Sequence, residues 1–345
     1  MVKEQFPNGY RPLMDQKHTE KAIKFVKDTF ERELSGELYL SRVTSPLFVP
    51  QGSGLNDELN GTEKPVSFQV PRLNNQTLEI VHSLAKWKRM ALADYNFAVN
   101  TGLYTDMNAI RAEDQLDAIH SIYVDQWDWE LIIKEEQRTL DYLKCVVTKL
   151  YGALKRTEFL VSELFPVCQP TLPEKIKFIH SEEAYAAYPE LTGEERERQL
   201  VKEYGAIFLI GIGYPLNNGV AHGGRAPDYD DWSTETHKGY HGLNGDIIVY
   251  DSVRDDAMEL SSMGIRVNQE VLLRQLEMRG ELAKKELYWH KRLLNGEFPQ
   301  TIGGGLGQSR ICMLLLKKAH IGEVQASIWP NSFYKEAFKH SLRLL

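Results

Sequence analysis

The chain has 345 residues, of which 42% are hydrophobic and 26% charged, and its formal net charge is −7. This balance is typical of a globular protein with a large core, and the acidic charge disfavours a broad grip on nucleic acid or on an anionic membrane. No apolar run approaches the roughly 20 residues of a transmembrane helix, and residues 1–6 lack the apolar core of a signal peptide. The three cysteines are far apart and odd in number, so we expect no disulfide framework and a cytoplasmic location.

In the first half of the chain, hydrophobic spacing predicts three helices and two extended segments. The helices are predicted over residues 16–34, 83–94 and 140–154. β-Branched and aromatic residues, with Pro46, favour an extended edge segment over residues 38–49, and alternation favours a strand over 119–129. A long loop is indicated by Gly52, Gly54 and Gly61.

The second half is predicted to alternate between short helices and strands that are neighbours in sequence. Thr192 and Glu195 have the spacing of a capping box, and Gly205 is suited to end the helix that they begin. Strands are predicted over residues 176–179, 206–213, 247–250 and 258–267, and helices over 271–276, 282–293 and 309–317. Sequence-adjacent strands favour an antiparallel sheet with helices on one side, so we expect an α+β fold, and we expect residues 1–345 to form a single domain.

The first segment with chemical character combines Arg111 and Glu113 with a strand that begins near His120. An arginine at the end of a strand can hold a phosphate through two hydrogen bonds, and the loop to His120 suits a hairpin. On the return strand, three polar residues alternate onto one face and could line a pocket for a small zwitterion: Gln126, Asp128 and Glu130. A solvated strand with ordinary charges is the alternative interpretation.

The second segment is a glycine run from Gly303 to Gly307, followed by Arg310 and an apolar helix. A glycine-rich turn lets the backbone approach a ligand, and Arg310 could reach phosphate or lie flat on a purine. The run matches neither the P-loop nor the dinucleotide-binding pattern, and it could equally serve only as a tight turn.

The third segment places Asp246 and Glu259 on two predicted neighbouring strands. Two carboxylates in this position could hold Mg²⁺ between phosphate groups, because Mg²⁺ prefers few carboxylates completed by phosphate oxygens and water. A simple polar pair across two strands is the alternative.

Taken in this order, the three segments resemble the second and third motifs of class II aminoacyl-tRNA synthetases, in the form seen in aspartyl- and asparaginyl-tRNA synthetases. Residues 38–46 resemble the first motif, whose proline lies at a dimer interface. The resemblance implies an antiparallel sheet flanked by helices, an adenylate-forming site and a homodimer.

Four longer stretches are similar to the ammonia-dependent asparagine synthetase family: HSLAKWKR at 82–89, YVDQWDWE at 123–130, RAPDYDDW at 225–232 and PQTIGGG at 299–305. The resemblance runs from about residue 19 to 330. It implies a ligase that uses ATP and Mg²⁺ to activate the side-chain carboxylate of L-aspartate as an adenylate, which ammonia converts to asparagine with release of AMP and pyrophosphate.

The same resemblance assigns roles to individual residues. For catalysis it implies Asp57, Lys88, Arg111 and Gln126. For aspartate it implies Ser83, Ser121, Gln126, Asp128, Arg225, Asp230 and Ser262. For ATP it implies Arg111, Glu113, Asp246, Glu259, Gly304 and Arg310, with Asp246 and Glu259 as the ligands of Mg²⁺. Arg310 is expected either to hold the β- and γ-phosphates or to stack on adenine.

Three other interpretations fit the sequence less well. A true aspartyl- or asparaginyl-tRNA synthetase needs an anticodon-binding domain, whereas about 35 residues precede the first motif and the chain is acidic. A non-catalytic regulator is disfavoured because both motif arginines and the acidic pair are present. A glutamine-dependent asparagine synthetase needs a cysteine after Met1, and residue 2 is Val2. We therefore expect free ammonia as the nitrogen donor and neither a nucleic acid nor a membrane as a partner.

Overall fold

The computed structural model describes residues 6–59 and 63–345, so Gly61 of the predicted loop lies outside the described residues. The strands are β1 (Leu40–Arg42), β2 (Phe48–Pro50), β3 (Ser67–Val70), β4 (Gln76–Ile80), β5 (Gly102–Ile110), β6 (Tyr123–Ile132), β7 (Lys177–His180), β8 (Ala206–Ile210), β9 (Glu235–His237), β10 (Tyr240–His241), β11 (Asn244–Asp251), β12 (Asp256–Ile265) and β13 (Thr301–Gly307). The helices are α1 (Gln16–Leu38), α2 (Ala85–Asp94), α3 (Leu140–Leu164), α4 (Ser181–Ala187), α5 (Gly193–Tyr204), α6 (Gln269–Met278), α7 (Tyr288–Leu294), α8 (Gln308–Leu315) and α9 (Asn331–Lys339).

Eight strands form the large sheet in the order β1-β5-β6-β13-β12-β11-β8-β7. The inner neighbours from β5 to β8 all pair antiparallel, as the sequence predicted, whereas β1 and β7 pair parallel with β5 and β8 at the two edges. The α+β fold class is confirmed. Strand β5 ends at Ile110, which pairs with Tyr123 of β6, so the predicted hairpin that begins at Arg111 is present.

Helices cover both faces of this sheet, so the prediction that they lie on one side is wrong. On β6, Trp127 and Trp129 join a core shared with α1, α3 and α8, while Ile132 joins a second core with Trp87 and Leu92 of α2. Successive side chains of a strand point to opposite faces, so each face of β6 has its own helical layer. Gln126, Asp128 and Glu130 therefore lie on the face that also carries α2.

Two local predictions have different outcomes. The capping box is confirmed, because the Thr192 side chain accepts from the Glu195 amide, the Glu195 carboxylate accepts from the Thr192 amide, and Gly205 follows α5 at φ +73°. The single helix predicted over residues 282–293 is instead a 3₁₀ turn (Leu282–Glu286) and then α7, with extended Leu287 between them. Within the described residues, no helix is both long and apolar enough to cross a bilayer.

Candidate active site

A cleft of about 890 Å³ opens on the face of the sheet that carries α2. Residues from distant parts of the chain line it, including most of those predicted from the sequence: Asp57, Ser83, Lys88, Arg111, Ser121, Gln126, Asp128, Arg225, Asp230, Glu259, Ser262, Gly304 and Arg310. Two predicted residues are not part of its lining. Asp246 accepts a hydrogen bond from Arg225, and the exposed Glu113 accepts one from the Lys64 amide at 3.1 Å.

The floor of the cleft is formed by β6 and the glycine-rich β13. The sequence predicted a turn at residues 303–307, and this was wrong, because the segment is a central strand paired with both β6 and β12. A Cβ atom at Gly305 would lie 2.6 Å from Asp128 Oδ1 and would also meet Gln126 Oε1, and a Cβ at Gly303 would collide with the Glu130 carboxylate. The glycines thus leave room for the polar side chains of the neighbouring strand.

Lys88 on α2 lies over the middle of this floor. Its ammonium donates to the Gly304 carbonyl oxygen at 2.8 Å and lies 3.4 Å from Asp128 Oδ2, and both side chains are buried. Burial lowers the pKa of Lys88, an effect that the neighbouring Asp128 carboxylate opposes. Asp128 Oδ2 also accepts from the Leu84 amide, whereas its Oδ1 is buried without a hydrogen-bond partner in the described part of the chain. That oxygen is available to an amino group.

Arg225 and Arg266 pair with carboxylates beside this floor. Arg266 pairs with Glu130 at 2.8 Å and with Asp230, and all three side chains are buried. Burial alone would raise the pKa of Glu130, but the Arg266 guanidinium lowers it below its ordinary value. Arg225 lies 3.5 Å from Asp230 and donates to Asp246, so Asp230 is shared by two arginines.

The predicted metal pair, Asp246 and Glu259, lies on the antiparallel strands β11 and β12. Burial raises the pKa of Asp246 to about 6, with Arg225 opposing and the Glu259 carboxylate adding to the rise. Glu259 accepts from Ser262 Oγ at 3.0 Å and lies 3.7 Å from Arg310. A divalent cation would relieve the repulsion between the two carboxylates, so the donor set fits a hard ion that takes its remaining ligands from phosphate and water.

Arg111 and Arg310 provide further positive charge in the lining of the cleft. Arg111 Nη2 donates to the His82 carbonyl oxygen at 3.1 Å, and its buried Nε has no hydrogen-bond partner among the residues that the structure describes. Arg310 Nη1 donates to the Glu259 carbonyl oxygen at 2.9 Å. Each guanidinium group is of a kind suited to bind phosphate.

Comparison with known proteins identifies the family. The family model described as aspartate-ammonia ligase matches residues 17–341. The aspartate–ammonia ligase of Parabacteroides distasonis is 58% identical over 98% of both chains, and that of Ruminiclostridium cellulolyticum is 54% identical over the same shares. The chain belongs to the aspartate–ammonia ligase family. The resemblance drawn from the sequence motifs is therefore confirmed.

Solved structures show the same fold in proteins of low identity to this aspartate–ammonia ligase family member. The asparaginyl-tRNA synthetase of Pyrococcus horikoshii, complexed with asparaginyl-adenylate, aligns at a TM-score of 0.67 with 17% identity, over 91% of this chain and 70% of that chain. The enzyme of the same name from Entamoeba histolytica aligns at 0.64 with 17% identity, over 90% of this chain and 66% of that chain. The class II synthetase fold predicted from the sequence is confirmed.

Sequence reasoning missed one prominent residue of this ligase-family site. Arg266 lines the cleft and is buried between Glu130 and Asp230, but it received no role because its partners are 136 and 36 positions away. A lone arginine at the end of a strand carries no local signal of this kind. The sequence signal that could have found Arg266 is the number of acidic residues assigned to the pocket. Several carboxylates buried together need a buried cation to compensate their charge.

Proposed function

We propose that this protein joins ammonia to the side-chain carboxylate of L-aspartate through a β-aspartyl-adenylate, with release of AMP and pyrophosphate. Family membership shows a ligase acting on aspartate and ammonia; the ATP-derived adenylate, the Mg²⁺ ion and the roles of individual residues are what the proposal adds. The observation that carries it is a single cleft whose lining combines the polar side chains of Lys88, Gln126 and Asp128 with two phosphate-suited arginines, Arg111 and Arg310.

The part of the cleft formed by Lys88 and Asp128 suits aspartate. Lys88 can pair with a carboxylate of the substrate, and the unpartnered Asp128 Oδ1 can accept from the substrate amino group. Gln126 lies beside Asp128 on the same face of β6 and completes this pocket. Asp57, whose Oδ2 accepts from Ser83 Oγ at 2.8 Å, lies at its edge, where we propose that it guides ammonium.

Other predicted aspartate contacts are already engaged within the protein. Ser121 Oγ donates to Ser327 Oγ at 2.9 Å, and Asp230 is held by Arg225 and Arg266. We propose that Asp230 and Arg225 orient the neighbouring charges, and that Ser121 and Ser262 contact substrate only if they exchange their present partners. Glu113 would have to leave the Lys64 amide to reach ATP.

For the first chemical step, we propose that Arg111 stabilises the charge that develops on the α-phosphate as an aspartate side-chain oxygen attacks it and pyrophosphate leaves. Arg310 would hold the outer phosphates or stack on adenine, and Gly304 would let ATP approach the sheet. Asp246 and Glu259 would hold Mg²⁺, which supplies charge neutralisation between phosphates. In the second step ammonia attacks the activated carbonyl carbon, AMP leaves with the carbonyl-linked oxygen, and ammonia loses a proton.

The test is a reaction of the purified protein with ATP, Mg²⁺, aspartate and ammonium, in which AMP and asparagine are measured together. We expect equal amounts of both, dependent on ammonium. The Arg111→Ala variant should form adenylate about 10²–10³-fold more slowly, with aspartate binding by calorimetry largely retained. Adenylation at the wild-type rate in that variant would contradict the assignment of Arg111, and ATP consumption without asparagine would contradict the proposed function.

A cytoplasmic homodimer also remains a proposal. The cysteines at 145, 168 and 312 are free, which suits a reducing compartment. Large apolar side chains are exposed around the first motif, at Tyr39, Leu47 and Phe48. Sedimentation equilibrium would decide the oligomeric state, and a monomer at micromolar concentration would contradict it.

A further inference from the structure

The loop that carries Asp57, residues 51–59, is fixed from two sides. On the cleft side, Asp57 is buried, its carboxylate accepts from Ser83 and from the Leu59 amide at 2.9 Å, and its carbonyl oxygen lies 3.1 Å from His82 Nδ1. On the other side, the loop lies against residues 281–290. Its position therefore depends on a segment that does not itself line the cleft.

Three contacts join the loop to this segment. The Trp289 amide donates to the Ser53 carbonyl oxygen at 3.1 Å, and Lys284 Nζ donates to Glu58 Oε2 at 2.7 Å. Between them, the Gly54 backbone lies directly on the His290 ring, because a Cβ atom at Gly54 would be 2.8 Å from His290 Nδ1. Gly54 also has φ +76°, a conformation that disfavours any side chain. The loop thus packs on the imidazole without intervening space.

The His290 ring is held in turn by Asp228. His290 Nε2 lies 2.9 Å and Lys86 Nζ 2.8 Å from Asp228 Oδ2, and the three side chains are at most 4% exposed. Burial alone would raise the pKa of Asp228, but the Lys86 ammonium and the His290 hydrogen bond lower it well below its ordinary value. A carboxylate that is ionised and immobile is a firm anchor for the ring.

This buried cluster connects the parts of the chain that supply the aspartate pocket. Asp228 lies between Arg225 and Asp230 in sequence, and Lys86 lies two residues before Lys88 on α2. His290 Nδ1, on the side facing Gly54, is buried without a hydrogen-bond partner in the part of the chain that the structure describes. The ring is therefore a packing surface toward the loop and a hydrogen-bonding group toward Asp228.

We propose that His290 is a positioning residue for Asp57: its ring, fixed by Asp228, is the surface on which Gly54 packs, and it thereby sets where the Asp57 carboxylate lies at the aspartate pocket. The inference rests on the proposed function for its effect on catalysis, but the packing itself does not. Loss of the ring should loosen residues 51–59 and weaken aspartate use more than ATP use, because Asp57 itself lines the cleft at the proposed aspartate pocket.

The first test compares His290→Leu with His290→Gln, whose amide nitrogen can still donate to Asp228. We expect His290→Leu to raise KM for aspartate about tenfold while KM for ATP changes less than about threefold, and His290→Gln to recover most of the loss. The matched control is His180→Leu. His180 is also a buried histidine; it accepts from the Glu182 amide through Nδ1, and its Nε2 contacts the His241 carbonyl oxygen, but it does not line the cleft. The control should lower thermal stability without an aspartate-specific change.

The second test measures amide hydrogen exchange of residues 51–59 in the free protein and combines His290→Leu with Gly54→Ala. Amide exchange of residues 51–59 should be faster than in wild type in His290→Leu and in Gly54→Ala, and equal to wild type in His290→Gln and in His180→Leu. In the double variant, the increase in KM for aspartate should be smaller than the product of the two single increases, because both changes disturb the same contact. Unchanged loop exchange in His290→Leu, or equal acceleration in His180→Leu, would overturn the proposal. Hydrogen exchange does not depend on enzymatic activity, so this measurement tests the positioning role of His290 even if the wild-type protein proves to make no asparagine.

Discussion

At the scale of single residues, the cleft depends on two glycines of β13, whose lack of a side chain leaves room for the polar residues of β6. Gly303 and Gly305 face the crowded polar residues of β6, and any Cβ atom there would displace them. Sequence reasoning interpreted the glycines as a turn because glycine runs usually mark turns. Only the pairing of β13 with β6 and β12 reveals the steric reason for them.

Gly305→Ala should therefore lower kcat/KM for asparagine formation by about 100-fold, because the added methyl group pushes Gln126 and Asp128 out of place. The matched control is Gly36→Ala in α1, where a Cβ atom would meet nothing within 4 Å. Steady-state kinetics of both variants, with circular dichroism to verify folding, make the comparison. Activity of Gly305→Ala within twofold of wild type would contradict this account of the glycines.

The buried ion pair of Asp228 and Lys86 makes a prediction about stability. Asp228→Asn leaves the Lys86 ammonium buried without its counter-charge, so the free energy of unfolding should fall by about 3–5 kcal/mol at neutral pH. The folded-state pKa of Asp228 is below its ordinary value of 3.8, so its contribution is fully present above about pH 4 and is lost as the pH falls further.

Urea denaturation of wild type and Asp228→Asn at several pH values between about pH 3 and pH 7 tests this prediction. The difference in the free energy of unfolding between wild type and Asp228→Asn should be constant near neutral pH and should become smaller below about pH 4. A difference that grows as the pH falls would show that Asp228 is protonated in the folded protein.

At the scale of elements, the sequence predicted well where a local rule decides the outcome. The end points of α5 follow from the hydrogen bonds of Thr192 and Glu195 and from the positive φ of Gly205, all of which are encoded within a short segment. The faces covered by helices could not be predicted in this way. Whether α2 packs on the same side as α1 depends on long-range pairing of strands, and the prediction of a one-sided layer was wrong.

The N-cap of α5 has a measurable energetic consequence. Thr192→Ala removes the acceptor for the Glu195 amide and should lower the free energy of unfolding by about 1 kcal/mol. Thr148→Ala, in the interior of α3 where the hydroxyl only donates to the Lys144 carbonyl oxygen, is the matched control and should be neutral or slightly stabilising. Equal losses in both variants, measured by chemical denaturation, would show that capping is not the cause.

At the scale of the whole molecule, the site is an assembly of distant segments. Asp57, Lys88, Arg225 and Arg266 come from four regions of the chain, and the large sheet with its helices brings them to one cleft. Most of the residues predicted by motif resemblance do line the cleft, because they stand in recognisable strings. The resemblance could not predict which charges pair with each other, so the engagement of Asp230 by two arginines and the central place of Arg266 became visible only in three dimensions.

The central claim is that an oxygen of the aspartate side chain bonds to the α-phosphorus of ATP, and isotope transfer tests it most directly. Aspartate labelled with ¹⁸O in the side-chain carboxylate would be converted with ATP, Mg²⁺ and ammonium, and the products analysed by mass spectrometry. A parallel reaction with label in the α-carboxylate serves as the control.

The account predicts that each AMP carries one ¹⁸O from the side-chain carboxylate, that asparagine retains the other, and that the control gives unlabelled AMP. Label in inorganic phosphate together with ADP, or AMP that is labelled only from the α-carboxylate, would contradict the β-aspartyl-adenylate and with it the proposed use of this cleft.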